Sequence, residues 1–483
     1  MASLPLETLP FDDVTDFENA DRGFIGALVP GVVEGAEGRT VWDNDAYAFL
    51  KADCPDTAHP SLWRQAQLAS KQGLYEVTDG ICQVRGLDLS NMTLVEGERG
   101  VVVIDPLISA ETAAAALGLY REHRGDRPVT GLIYTHSHGD HFGGARGVLP
   151  RGTEEGVPIL APAGFLEQIE YFGDGYDVAF ASHHWPTWGR ENVVTFLSAQ
   201  RDLYAYMHDQ TLRLLNDGLT GPEIAEELQL PPALENSWHA RGYYGSLSHN
   251  VKAICQRYLG WFNGNVATLW EHPPVELARR YVDSMGGADQ TLAKARAYAD
   301  SGDLRFAATL LNHLVFAEPG RTDAKEALAG VYDTLGHGAE NGPWRNFYLT
   351  SAMELRHGEN AALLDTANPE MATALTADML IDSIAVRIDG PRAWDEDLTI
   401  DLVLTDEGSH HRLTLHNGAL THRTVTDPRT PAGLTLTLTK PQLLAVLAGR
   451  APDSISTAGS PALLSRLFSY VTKADAAFPI VTP

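Results

Sequence analysis

The chain has 483 residues, with 36 Lys and Arg against 63 Asp and Glu, giving a formal net charge of −27. Its length calls for two to four domains, and a content of 44% hydrophobic and 20% charged residues is that of a globular protein. The charge argues against nucleic acid or an anionic membrane as partner, since both need basic patches. A small anionic substrate stays open, because a local metal or arginine overrides the global field.

Three cysteines, Cys54, Cys82 and Cys255, lie far apart and form no CxxC motif. They read as buried thiols of a reducing compartment. The first stretch, MASLPLETLPFDDVTDFENADRGF, has neither the basic nor the apolar segment of a secretory signal. No run of 18 apolar residues marks a membrane span. The expectation is a cytoplasmic protein without membrane insertion.

Residues 1–75 are polar and weakly periodic and predict an irregular arm with short helices. From Gly80 the pattern changes. GICQVRGLD, NMTLVEG and GVVVIDP predict strands. Ser109 is placed to cap a helix over AETAAAALGLYREH. VTGLIYTH is the next strand, followed by VPILAP, a short helix over GFLEQIEYFG, and DVAFASHHW. Alternating strands and helices predict an α/β layered domain.

From about Arg190 the chain turns helical, with SAQRDLYAYMHDQTLRLLNDG spaced as an amphipathic helix. LTGPEIAEELQLPPAL has the outline of a helix-turn-helix, but the acidic charge favours two packed helices. A stretch from LAKARAYADSGDL to GVYDTLG resembles a pair of tetratricopeptide-type hairpins. Beyond about Gly358, LTIDLVLTD and HRLTLHNGALTHRT read as a hairpin, and GLTLTLTKPQLLAVLAG as a strand followed by a helix. The predicted divisions are residues 1–190, 191–360 and 361–483, the last a small α+β domain.

The most informative stretch is THSHGDHFGG, which packs three histidines and an aspartate into positions 136–141. Neutral imidazoles and a carboxylate converging after a strand suit a metal ion. His136 and His138, two apart, can reach one ion, and Asp140 and His141 a second nearby. The glycines at 139, 143 and 144 allow a tight turn. Such a site lowers the pKa of a bound water and holds a hydroxide nucleophile.

This string resembles the signature of the metallo-β-lactamase superfamily, with Asp105 of VVVIDP at its upstream aspartate, behind the metal ligands. Resemblance is closest to the alkyl sulfatase branch. DPLISAETAAAALGLYREHRG, IYTHSHGDHFGGARGV, FASHHWPTWG, QRDLYAYMHDQTLRLLN, RGYYGSLSHNVKAICQRYLGWF and ENGPWRNFYLTSAMELRHG carry it across most of residues 70–357. The resemblance implies a metallo-β-lactamase-type α/β domain, a helical dimerisation domain and a C-terminal domain like a sterol carrier protein. It implies two zinc ions, a homodimer, and hydrolysis of alkyl sulfate esters to alcohol and inorganic sulfate by a zinc-bound hydroxide. By position, His136 and His138 would hold one zinc, and Asp140, His141 and His183 the other. His184 is the less favoured neighbour, because strand alternation points it away. His249 and Tyr243 of RGYYGSLSHN would face the sulfate as catalytic groups.

One departure from the family pattern matters. Its carboxylate ligands and sulfate-contacting arginine belong to a segment between THSHGDH and SHHW that is missing here, with the join near residues 167–168. A first zinc held by two histidines is under-ligated, since catalytic zinc takes three protein ligands; one ion or fewer is then expected. Glu154, Glu155, Glu167, Glu170 and Asp174 are the carboxylates that remain in the gap. The alternative to an active enzyme is therefore an impaired remnant, dimeric, whose C-terminal domain binds an apolar ligand.

Overall fold

The computed structural model describes residues 9–136, 138–149, 157–160, 177–359, 375–425, 431–447, 449–450, 455–473 and 477–483. It divides into two compact units. One holds Met1–Arg356 with Val481–Pro483, the other His357–Ile480.

In the first unit the N-terminal arm contributes α1 (Thr15–Asp21), β1 (Phe24–Gly26), the pair β2 (Val32–Glu34) and β3 (Thr40–Asp43), and α2 (Pro60–Ala69). β4 (Gly73–Thr78), β5 (Ile81–Arg85), β6 (Met92–Glu96) and β7 (Val101–Ile104) then run as an antiparallel meander. α3 (Ala110–Arg124) crosses over to β8 (Val129–Ile133), which lies parallel to β7, and α4 (Ala145–Val148) leads to β9 (Ile159–Leu160), parallel to β8. The seven strands are ordered β1-β4-β5-β6-β7-β8-β9.

The three strands and the helix expected over residues 80–124 are all present. Ser109 caps α3 by accepting the Thr112 amide. The arm is more ordered than its polarity predicts, because β1 pairs with β4 and so joins the main sheet. Alternation along β7 buries Val101 and Val103, which pack with Leu74, Cys82, Leu94 and Leu132 against Ala113, Ala116, Leu117 and Tyr120 of α3. Each valine and leucine among them, sealed from water, contributes about 1.5–3 kcal/mol, and the smaller alanines less. At the sheet edge, Ile159 and Leu160 of β9 remain exposed.

The strand expected in DVAFASHHW is cut to β10 (Val178–Ala179), which pairs with β11 (Thr187–Trp188) outside the main sheet. The chain bends through residues 182–184 instead of continuing extended. The helix expected over GFLEQIEYFG, the join near residues 167–168 and the five remaining carboxylates all lie outside the described residues.

α5 (Arg190–Asn216) opens the helical part, followed by α6 (Gly221–Glu227), α7 (Pro232–Glu235), α8 (Leu247–Leu259), α9 (Pro274–Ser284), α10 (Ala288–Asp300), α11 (Leu304–Ala317), α12 (Thr322–His337) and α13 (Gly342–His357). The stretch expected to form two helical hairpins holds three helices, α10–α12, rather than four; their Leu310, Leu311, Leu314 and Leu328 form one core with Val282 of α9. No described helix is long and apolar enough to cross a membrane. All three cysteines are free; Cys82 and Cys255 are buried, Cys54 only partly so.

The second unit contains α14 (Ala377–Ala385), then β12 (Asp397–Leu404), β13 (Ser409–His416), β14 (Ala419–Thr424), β15 (Leu434–Leu438), α15 (Lys440–Leu447), β16 (Ser456–Gly459) and α16 (Ala462–Phe468). The predicted hairpin and strand–helix pair are both there. The sheet order is β14-β13-β12-β15-β16, with only the β12–β15 pair parallel. One face carries Ile400, Leu402, Leu404, Leu413 and Leu415 against Leu380, Ile381 and Ile384 of α14.

Candidate metal centre

β7 and β8 end side by side, and the site is built on the loops that leave them. Immediately after β7, Asp105 turns its backbone to φ 54°, a left-handed conformation that non-glycine residues rarely adopt. Its carboxylate is fully buried. One oxygen accepts the Thr135 amide at 2.7 Å. The other accepts the Thr135 hydroxyl at 2.6 Å, the His141 Nδ1 proton at 2.9 Å and the Ser182 hydroxyl. The aspartate thus ties together the end of β8, the histidine loop and the segment carrying His183.

The loop packs against the turn between β7 and α3, and there the glycines are required. A Cβ on Gly144 would lie 2.0 Å from the Pro106 carbonyl oxygen, and one on Gly143 2.2 Å from that of Ile108. Neither has positive φ, so close approach rather than turn geometry explains them.

Five predicted ligands are brought together. The His136 ring centroid lies 4.0 Å from that of His141 and 4.6 Å from that of His138. His141 Nε2 is 3.2 Å from Asp140 Oδ2. His183 Nε2 is 3.5 Å from the same oxygen and 3.2 Å from His141 Nε2. These last three atoms form a nearly equilateral triangle.

The chemistry of that triangle fits a cation. An ionised carboxylate only accepts, so His141 carries its proton on Nδ1 and turns the Nε2 lone pair inward. His183 does the same, its Nδ1 donating to the Leu89 carbonyl at 3.2 Å. Two lone pairs and a carboxylate oxygen thus face one another with no proton to bridge them. Around an ion with bonds of about 2.1 Å, tetrahedral ligand atoms sit about 3.4 Å apart, close to the observed spacing. Loss of solvent, together with the neighbouring His141, holds both His136 and His183 below the usual imidazole pKa, which favours the neutral, ligating form.

His184 turns elsewhere. Its φ is 62°, and its Nδ1 meets Gln65 Nε2 at 3.0 Å. The two histidines diverge because the backbone bends between them, not because a strand alternates.

Tyr243 and His249 have other neighbours. The Tyr243 hydroxyl is 3.1 Å from Ser61 Oγ, which donates to Glu340, and Glu340 is also held by Arg241. Burial pushes the Tyr243 phenol up to about 12. His249 accepts from the Trp344 indole at 3.3 Å. Among the described contacts, none joins either residue to the histidine cluster.

Several supporting residues were not singled out in the sequence. Asp88 accepts from the Ile108 amide and the Thr112 hydroxyl, at 3.1 and 2.6 Å. Burial raises its pKa. The Ser90 hydroxyl donates to the Asp140 carbonyl. Asn91 donates its amide to Ser182 and its side chain to the His184 carbonyl, at 2.6 and 2.7 Å. The sequence signal is weak: GLDLSN has the polar composition of any strand-connecting loop.

Three family models match: the metallo-β-lactamase superfamily over residues 85–191, alkyl sulfatase dimerisation over 220–358, and alkyl sulfatase C-terminal over 365–483. A linear primary-alkylsulfatase of Pseudomonas sp. is 38% identical, across 99% of this chain and 91% of the relative. This chain belongs to the alkyl sulfatase family. An alkyl/aryl-sulfatase of Saccharomyces cerevisiae is 33% identical, over 98% of this chain and 94% of the relative. The solved structure of the stereoselective inverting sec-alkylsulfatase Pisa1 from Pseudomonas sp. superposes with a TM-score of 0.93 at 35% identity, covering 99% of this chain and 97% of that one. As a member of the metallo-β-lactamase superfamily the chain carries a metal-binding fold. The alignment to the primary-alkylsulfatase runs over 616 positions against 483 residues here, so well over a hundred of them have no counterpart in this chain.

Proposed function

We propose that this chain hydrolyses sulfate monoesters of aliphatic alcohols, consuming water and releasing the alcohol and inorganic sulfate. The observation that carries the reading is the triangle of Asp140 Oδ2, His141 Nε2 and His183 Nε2, three unbridged acceptors facing one point. The named activities of the relatives supply the substrate class.

The metal is zinc in this reading, held by Asp140, His141 and His183, with His136 and His138 at an adjoining position. When bound there, such an ion lowers the pKa of water and polarises an ester oxygen. The chain's own residues make that possible. Asp105 and the Leu89 carbonyl fix the tautomers of His141 and His183, and Thr135 and Ser182 hold Asp105 in place. The catalytic role of Tyr243 and His249 rests on the resemblance, while their contacts to Ser61 and Trp344 support a positioning role.

The wider reading is a cytoplasmic homodimer. It has a metal domain over residues 1–190, a helical dimerisation domain over 191–360 and a sterol-carrier-like domain over 361–483, supported by the order of the three family matches.

A second reading, a remnant without turnover, is favoured by the positions of the relative that this chain lacks. One experiment separates the two. Zinc-loaded protein is incubated with a medium-chain alkyl sulfate and free sulfate is measured beside His141→Ala. Release above that control supports hydrolysis. Equal release from both, by folded protein, overturns it.

A further inference from the structure

A second group of histidines lies in the C-terminal unit, in no part of the site described above. Asp378 and Asp382 stand one turn apart on α14, at the edge of its contact with the sheet. His411 on β13 and His422 on β14 share the sheet face that meets this helix, because His422 pairs with Leu413, two residues along from His411. His411 Nδ1 lies 3.1 Å from Asp378 Oδ1, and His422 Nδ1 lies 3.3 Å from the same oxygen. All three ligand atoms fall within 4.8 Å of one another.

Ordinary hydrogen bonding does not account for this meeting. Both Nδ1 atoms are buried and have no hydrogen-bond partner, despite the carboxylate so close by. His411 as a whole is only 4% exposed. The far nitrogens are already engaged: His422 Nε2 donates to Asp382 at 2.8 Å, and His411 Nε2 meets Ser409 Oγ at 3.0 Å. A carboxylate only accepts, so Asp382 places the His422 proton on Nε2 and leaves the Nδ1 lone pair facing Asp378. Carboxylate–histidine pairing behind a ligating nitrogen is the usual support of a metal-bound imidazole. Asp105 does the same for His141 at the first centre, with the two ring nitrogens exchanged. Separations of 3.1 and 3.3 Å match neighbouring corners of a tetrahedron with bonds of about 2.1 Å.

We propose that Asp378, His411 and His422 form a separate divalent-metal site, of zinc-type nitrogen and oxygen chemistry, that clamps α14 to the β13–β14 hairpin. Asp378 is half exposed, which gives an ion an entry path and leaves room for water as a further ligand. Two imidazoles and one carboxylate select zinc or its neighbours over magnesium or calcium, which prefer oxygen. The site is independent of the hydrolytic centre, so it stands whether or not that centre turns over substrate.

The test compares metal uptake by full-length protein with that of Asp378→Asn/His422→Gln. Both are stripped with chelator and titrated with zinc against a chromophoric competitor. The expected result is one equivalent fewer per chain in the double variant, with unchanged alkyl sulfate hydrolysis. A zinc-induced rise in the Tm of the C-terminal unit is expected in the parent and not in the variant. Equal uptake by the two folded proteins overturns the proposal. Should the double variant fail to fold, Asp378→Asn alone decides. Its side chain is half exposed, and at least tenfold weaker binding of one equivalent is expected; unchanged binding overturns the site.

Discussion

Asp105 accepts the Nδ1 proton of His141 at 2.9 Å, and neither side chain is reached by solvent. The pair sets which nitrogen of His141 is free for an ion. Asp105→Asn replaces an obligate acceptor by a group that also donates, and removes a charge that three hydroxyl or ring donors share. Zinc affinity is expected to fall about 10–100-fold. Competition titration of the folded variant checks this; an unchanged affinity would show that the tautomer is set by something else.

The two adjacent histidines should behave differently. His183→Ala removes one corner of the triangle and is expected to release the ion held with Asp140 and His141. His184→Ala loses a contact with Gln65 and should retain its metal. Elemental analysis of the two purified variants reads the difference directly, and metal loss from both alike would count against the separate placement of the rings.

Gly144→Ala tests the packing of the histidine loop. The new methyl would meet the Pro106 and Ser109 carbonyl oxygens at 2.0 and 2.6 Å, both backbone atoms that cannot swing aside. The loop must move, at a cost of about 1–3 kcal/mol or more. A lowered denaturation midpoint together with weakened metal binding is expected, although no ligand has been changed.

Glu340 gives a pH signature. Burial alone would raise its pKa, but the Arg241 guanidinium and the Ser61 hydroxyl outweigh that and hold it below the usual carboxylate range. Its contribution to stability is therefore complete above the unfolded carboxylate pKa, about 4.3. It is lost as pH falls through the lower folded value. Glu340→Gln leaves Arg241 buried without its counter-charge and should cost about 3 kcal/mol at neutral pH. The gap between variant and parent should close in acid. Denaturant midpoints measured from pH 7 down to 3 would show it, and a gap that stayed constant would contradict the assignment.

What was legible in the sequence follows physical range. Val101 and Val103 alternate with half-buried neighbours, and Ser109 sits one residue before its helix, so β7 and α3 could be read from spacing alone. The string of candidate ligands is legible because its donors are nearly consecutive. His183 was legible only through resemblance, and the reason for preferring it over His184 was a strand where the chain in fact bends. β4 is not legible because GLYEVT follows directly on a polar arm; of its two partners β5 is adjacent, but β1 lies more than forty residues away. Asp88, Ser90 and Asn91 act through main-chain hydrogen bonds to distant loops, which no local pattern encodes. The pairing of Asp378 with His411 and His422 is equally non-local: it exists only once α14 has docked on the sheet.

The bend that carries His183 ends at β11, and Arg190 begins α5 two residues later. That helix has 27 residues, a rod about 40 Å long. Its first turn follows directly on the segment that carries His183, one of the candidate ligands. A partner that gripped the remote turns of α5 would hold a lever arm on the candidate metal centre.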